Sequence, residues 1–372
     1  MHFATKVVVI LQISGEEVVN VGSRMVGLDI ATSCVRAAEL TFSKDRFVLE
    51  RFSQMPLPVG AVQAGEVHDV ATVASAIKLL WQRGNFKSKT VAIGVASQQV
   101  VVRQMEIPYV PKGERRKSLA LVVGDQIPLA VDEAVMDFVA LDTLQEADGS
   151  PMSRGLLVAA AEAPVLQAID AVEQAGLRVS DVDLTPFAVL RALSHADPMG
   201  LDNHVEVIVD VGASITSLVI HRNGVPLFVR ILLMGGHDVT ERLVDELGVD
   251  LPTAESLKRE VAVFDPVYEA QQGTPEMVIA ESVESLVTEI RGSLDYYLAT
   301  ELQENLSRIV LTGGGSLVPG LMGRLEGTTG LSVERSPCLI RLGAGRSGLS
   351  DDHLVFADPM SAAAVGLAVR SK

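Results

Sequence analysis

The sequence predicts an α/β protein built from two similar halves around a cleft, with a smaller α+β unit inserted into the first half. Three observations carry that expectation. Residues 26–40, VGLDIATSCVRAAEL, and residues 206–236, EVIVDVGASITSLVIHRNGVPLFVRILLMGG, repeat one pattern half a chain apart. Each has an apolar run ending on an aspartate, a cluster of small residues and a second β-rich run, which is the mark of a duplication. Residues 308–321, RIVLTGGGSLVPGL, put three glycines directly after a short buried run. Finally, the character of the chain changes from Pro108, where a basic cluster (Lys112, Arg115, Arg116, Lys117) precedes an apolar helix ending near Pro128.

Aligning Asp29 on Asp210 pairs Ile30 with Val211, Ala31 with Gly212 and Ser33 with Ser214. Each unit reads as strand, tight turn, strand and hairpin, with Lys44-Asp45 in the first copy answering Asn223-Gly224, a strong hairpin signal, in the second. Small residues after the aspartate let backbone N–H groups point at an anion with no side chain between. The carboxylate at the strand end suits magnesium held through water. Two such turns facing each other would grip a nucleoside triphosphate from both sides.

The remaining elements follow in order. A strand is expected over 47–55, closed by Pro56 and Pro58, and a helix over 69–83 with Val73, Ile77, Leu80 and Trp81 at helical spacing. Strands follow at 91–95 and 100–107. Within the inserted unit come the apolar helix, strands at 134–141 and 156–160 around a polar loop at 145–154, a helix over 164–175 and a run at 177–184. A helix opens at Thr185, with Pro186 in its first turn. Helices are expected over 238–247, ended by Gly248, over 252–263 and over 275–302. In the second of these Glu255 and Lys258 share a face, which a surface ion pair would explain equally well. Strand 309–311 leads into Gly313, Gly314 and Gly315, where bare backbone can lie flat against a ring or a phosphate. A helix resumes after Pro319-Gly320, and small residues at 361–369 make a closely packing last helix. The run 343–348 satisfies the dinucleotide glycine pattern literally, but no strand–turn–helix unit is expected around it, so it reads as a flexible loop.

Composition narrows the function. Hydrophobic residues make up 48% and aromatics 4%, so Val, Leu and Ala do the packing. A net charge of −16, from 31 basic and 47 acidic residues, argues against nucleic acid as partner and against direct adsorption to anionic membrane. Cys34 and Cys338 are too few for a disulfide framework, and seven scattered histidines show no metal spacing. The apolar run at 7–13 is far short of the roughly 20 residues of a membrane span, and no cleavage site follows it. Residues 1–24 lie outside the repeat and read as a tail.

Two aspartate-headed turns, a connecting helix and a glycine-rich loop in this order resemble the actin-like (ribonuclease H-like) ATPase fold. The stretches VGLDIATSCVRAAEL, IPLAVDEAVMDF, DVGASITSLVIHRNGVPLFVR, TERLVDELGVDLPTAESLK and LTGGGSLVPGL look more specifically like the PilM family of type IV pilus assembly proteins, relatives of the cell-division protein FtsA. The resemblance implies ATP and Mg as ligands, with Asp29, Thr32 and Ser33 in the first phosphate motif and Asp210, Gly212, Ser214 and Thr216 in the second. It places Gly313, Gly314 and Gly315 in the adenosine motif, and Glu255, Lys258 and Arg259 beside the adenine. Asp29 and Asp210 become the magnesium-facing pair. The implied subdomains are 1A over 25–107 with 185–205 and the helix 359–370, 1C over 108–184, 2A over 206–236 and 306–358, and 2B over 237–305. The implied role is cytoplasmic, peripheral at the inner face of the membrane. There such a scaffold binds the cytoplasmic N-terminal tail of a PilN-like membrane protein and links it to other pilus assembly proteins, including the motor ATPase. Membrane association is then indirect, and self-association stays open.

Three departures bear on turnover. In the first motif Ala31 stands where glycine is usual, Cys34 for a serine and Arg36 for a lysine; Thr185 stands where relatives carry a water-orienting Glu or Gln. A short hydroxyl positions water poorly, so binding with weak or absent hydrolysis is expected. The alternatives are a small-molecule kinase of the same fold, for which no acceptor-site carboxylate stands out, and an FtsA-like filament former. The latter needs a basic amphipathic last helix, whereas this chain ends SAAAVGLAVRSK.

Overall fold

The computed structural model describes residues 24–43, 46–111, 115–124, 127–145, 149–196, 204–260, 273–300, 305–343 and 345–369. Residues 1–23 of the expected tail, Lys44-Asp45 and Lys112, and the side chains of Arg115, Arg116 and Lys117, lie outside it, while Arg24, the last residue of that expected tail, opens the first strand instead by pairing with Thr41.

The first lobe begins with β1 (Arg24–Ile30), β2 (Cys34–Ser43) and β3 (Arg46–Pro56), then a two-stranded hairpin of β4 (Val62–Gln63) and β5 (Glu66–Val67). Helix α1 (Val70–Arg83) follows, capped by Asp69, whose carboxylate accepts from the Thr72 N–H at 3.0 Å. Then come β6 (Thr90–Val95), β7 (Val100–Pro108), α2 (Arg115–Val123), β8 (Ala134–Gln145), β9 (Pro151–Ala161), α3 (Glu162–Gln174), β10 (Arg178–Leu184) and α4 (Thr185–Ala196). The second lobe holds β11 (Val205–Val211), β12 (Thr216–Arg222), β13 (Val225–Leu232), α5 (Gly236–Leu247), α6 (Leu251–Glu260), α7 (Pro275–Thr300), β14 (Leu306–Thr312), α8 (Leu321–Thr329) and β15 (Ser332–Arg335). The chain closes with α9 (Leu339–Leu342), α10 (Asp351–Ala357) and α11 (Ala362–Ala368).

The duplication is visible in the sheets. One runs β3-β2-β1-β6-β10 and the other β13-β12-β11-β14-β15. In each, three strands pair antiparallel and the last two add in parallel. Even the first turns match: the Ala31 N–H donates to the Cys34 carbonyl at 3.0 Å, and Gly212 to Ile215 at 2.8 Å. The β12–β13 turn takes positive φ at Asn223 (52°) and Gly224 (78°), the twist-matched hairpin geometry that this dipeptide favours.

Strand pairing corrects the expected bounds of the insertion. β7, β9 and β8 form their own three-stranded sheet, with α2 packed on it around Ile107, Leu119, Val123, Phe138 and Leu157. So the inserted unit spans 100–161. The expectation of 108–184 fails because β10 pairs with β6 in the first-lobe sheet and α3 packs on α1 in the first-lobe core. Likewise β9 extends to Pro151, into the expected loop. In the second lobe the described residues of α5, α6 and α7 share one core with β11 and β14. Residues 338–357, expected with the second lobe, lean on β3 of the first: the Arg346 N–H donates to the Leu49 carbonyl at 2.9 Å. A Cβ on Gly345, at φ +54°, would collide with that same backbone. Gly345 and Arg346 of the expected flexible loop are therefore pinned to β3. A helix does follow it, α10, capped by Ser350, but no strand enters it.

The last helix packs on α4 and β1 of the first lobe, closely where two glycines meet it. A Cβ on Gly366 would collide with the Ala188 backbone of α4, and one on Gly27 with α11. The Arg191 guanidinium donates to the Val369 carbonyl at 3.2 Å and the Gly366 carbonyl, closing the α11 C-terminus, and pairs with buried Asp183. A shared core, with Leu190 of α4, Val365 of α11 and Ile208 of β11 among its members, joins the two lobes behind the cleft.

Candidate functional site

Between the lobes lies a cavity of about 470 Å³, floored by the two aspartate turns. Asp29, Thr32 and Ser33 line it from the first lobe, and Asp210, Gly212 and Ser214 from the second. Gly313, Gly314, Gly315, Glu255, Lys258, Arg259 and Thr185 line it as well. Thr216 is the one expected residue that does not. It is fully buried, and its hydroxyl donates to the Met234 carbonyl at 2.8 Å, so it ties β12 to the chain before α5. The strand register explains this: Thr216 already begins β12, where alternate side chains point away from the turn. Its neighbour Ser217 faces the cavity instead.

The second turn is buttressed from behind. The Gly236 and His237 N–H groups, first in α5, donate to the Gly212 and Ala213 carbonyls at 3.0 and 2.7 Å. Glycine is required at 235, where a Cβ would stand 2.6 Å from the Gly212 carbonyl oxygen. Gly313 (φ +86°) and Gly315 press against Val211 and the Asp210 carboxylate on one side. The bare backbone expected to accommodate a ligand thus serves largely to bring the β14 loop against the end of β11.

Arg36 is the residue that motif reasoning noted only as a substitution. β2 aims it back along the turn, where Nη1 meets Asp29 Oδ2 at 3.1 Å. Its Nε is buried with no hydrogen-bond partner among the described residues. Burial pushes the Asp29 carboxyl up, against the pull of Arg36. Asp210 is pushed up to about 7, first by burial and then by Asp29, with Arg36 opposing. Two carboxylates thus share one guanidinium, and among the described residues Asp210 has no cation of its own. That donor set would fit a hydrated divalent ion.

On the second-lobe wall Glu255 and Lys258 meet as expected, at 2.7 Å, and the pair is more than a surface bridge. Lys258 Nζ also donates to the Gly236 carbonyl (2.8 Å) and the Thr240 hydroxyl (2.6 Å). The Thr240 hydroxyl in turn donates to Glu255 at 2.6 Å. Burial tends to raise Glu255, but the bonds from Lys258 and Thr240 outweigh it and hold its carboxyl low. Burial lowers Lys258, partly offset by Glu255. Sequence spacing alone missed Thr240, whose hydroxyl is the hub of the network.

Residues 27–372 match the family described as type IV pilus assembly protein PilM. The chain belongs to the PilM family. A solved PilM–PilN type IV pilus biogenesis complex is similar over 94% of this chain and 98% of the chain compared, at 27% identity and a TM-score of 0.80. Among curated proteins, the cell-division protein FtsA of Streptococcus pneumoniae is 23% identical over 344 residues, 83% of this chain and 74% of that protein. MreB5 of Spiroplasma citri, solved with bound ADP, shares the fold at 12% identity, a TM-score of 0.53 and coverage of 86% and 95%. The fold of this PilM-family member is accordingly actin-like, α/β, with both sheets flanking the cleft. No helix among its described residues is long and apolar enough to cross a membrane.

Proposed function

We propose that the chain is a nucleotide-binding scaffold of type IV pilus assembly, gripping ATP with Mg in the interlobe cavity and a PilN-like N-terminal tail elsewhere on its surface. The observation that carries this reading is the pairing of the two aspartate turns across one cavity, in a chain whose family and fold match a PilM–PilN complex. Asp29 and Asp210 would hold the ion, which when bound supplies positive charge against the triphosphate. The turns at 31–33 and 212–214 offer backbone N–H groups to phosphate oxygens. Thr185, first in α4, carries the only hydroxyl at the expected water-orienting position and has too little reach to fix an attacking water. The protein then holds ATP without rapid turnover, at the inner face of the membrane and through its membrane-protein partner. Calorimetric titration with Mg·ATP tests this. Wild-type binding that is lost in Asp210→Ala, with steady-state hydrolysis near background, supports it; turnover at the rate of a motor ATPase overturns it.

A further inference from the structure

A second cavity, of about 300 Å³, lies wholly in the second lobe between α5 and α7, behind the glycine loop. Its floor is apolar: Val239, Val283, Leu286 and Leu321 line it, and all are buried. Its rim is acidic. Asp238, Glu241 and Asp245 line it from α5, three and four residues apart, so they follow one edge of the helix for about 10 Å at 1.5 Å per residue. Among the described residues none of the three pairs with a lysine or an arginine; Asp238 accepts from the Gly235 N–H at 2.6 Å, and Glu241 meets His237 at 3.4 Å. Arg242, the one cation in the described lining, is already held 2.7 Å from Glu246 and from Glu281, which stand outside the cavity. Packed interiors leave few voids larger than a water molecule. A pocket of this size with an apolar body and a few placed charges is the form a small-ligand site takes.

We propose that this cavity binds a linear aliphatic polyamine, with its methylene chain on the apolar floor and its ammonium groups along the row of Asp238, Glu241 and Asp245. Three carboxylates in a row call for repeated positive charge, which a monoamine does not supply. A hydrated metal ion supplies charge but leaves the apolar floor uncovered. A flexible chain of alternating methylenes and ammonium groups answers both. The site also adjoins the second aspartate turn. Gly236 and Val318 line this cavity and the interlobe one alike, and the Gly236 and His237 N–H groups hold the Gly212 and Ala213 carbonyls. An occupant therefore braces the start of α5, and with it the support of that turn, whether or not nucleotide is bound.

Calorimetric titration of the nucleotide-free full chain with spermidine tests this, with putrescine for comparison. The variants are the rim pair Glu241→Gln with Asp245→Asn, Ser285→Trp at the exposed edge of the cavity, and a remote pair of equal charge change, Glu326→Gln with Asp352→Asn. Spermidine is expected to saturate one site and to bind more tightly than putrescine. The rim pair should weaken it by about tenfold, a few-fold for each partly exposed charge pair, and the remote pair by less than twofold. Ser285→Trp, which fills the mouth, should abolish it. Hydrogen exchange with spermidine bound should slow in peptides covering 235–247 and 278–290 and stay unchanged over 351–357. Equal weakening by the rim and remote pairs overturns the site, since it means general attraction to an acidic chain. Undiminished binding in Ser285→Trp overturns it too. So does the lack of any saturable binding to wild type, the result expected if a protein side chain fills the cavity instead.

Discussion

At the scale of single residues, the cleft trades stability for function. Asp210 is buried facing Asp29, with Arg36 only partly offsetting both, so its charge works against the ligand-free fold. Asp210→Asn removes that charge at nearly constant volume. It should raise the melting temperature of the ligand-free protein at pH 7.5 by a few degrees while weakening Mg·ATP binding; scanning calorimetry with and without nucleotide checks both. His221 supplies a pH dependence of the opposite sign to that of Asp210, whose raised value favours the folded chain as pH drops below about 7. Its Nδ1 accepts from the Gly224 N–H at 3.3 Å, and burial, with Glu206 opposing and Arg308 nearby, lowers it to about 4. The unfolded chain takes up this proton near pH 6.5 and the folded chain only near 4, so the His221 contribution falls as pH drops between those values. His221→Gln should remove that contribution, worth about 3 kcal/mol by pH 4, as read from the difference between variant and wild type in urea unfolding at stepped pH. The Asp29 and Asp210 positions were legible because chemistry of that kind needs an acid at a strand end. Thr240 and the exact posture of Arg36 were not, since both roles depend on partners brought from elsewhere in the chain.

At the scale of elements, local signals were followed closely where they were self-contained. Asn223-Gly224 makes its hairpin, Asp69 caps α1 and Gly248 ends α5 in the left-handed conformation. The errors fell on elements whose membership is decided by pairing. β10 and α3 look like a continuation of the insertion, and only the ladder to β6 assigns β10 to the first lobe. The short α9 and α10 carry too few residues for a periodic signal. The small-residue stripe of α11 makes a sharper prediction. Gly366→Ala drives a methyl into the α4 backbone and should cost about 2–3 kcal/mol. Gly323→Ala in α8, where a Cβ meets nothing within 4 Å, should instead stabilise by about 0.5–1 kcal/mol. Urea midpoints of the two variants decide it.

At the scale of the whole molecule, the two lobes meet through one shared core behind the cleft, while the cavity walls come from both. A ligand held by Asp29 on one side and Asp210 on the other favours whichever lobe arrangement brings them together, and a partner that senses that arrangement senses the nucleotide. The inserted sheet sits on the first lobe, and its strand β7 also touches β13 of the second, so it is positioned to register their relation. Family membership was legible from five motifs in series, but whether ligand and partner are coupled is written in no single stretch. The most direct test is calorimetric titration of the full chain with a synthetic N-terminal peptide of the PilN from the same organism, with and without saturating Mg·ATP, in wild type and Asp210→Ala. The account predicts a peptide affinity that changes several-fold with ATP in wild type, an equal reciprocal change in ATP affinity with peptide, and neither change in the variant. Peptide affinity indifferent to ATP in wild type would contradict it and leave a scaffold whose nucleotide gates nothing.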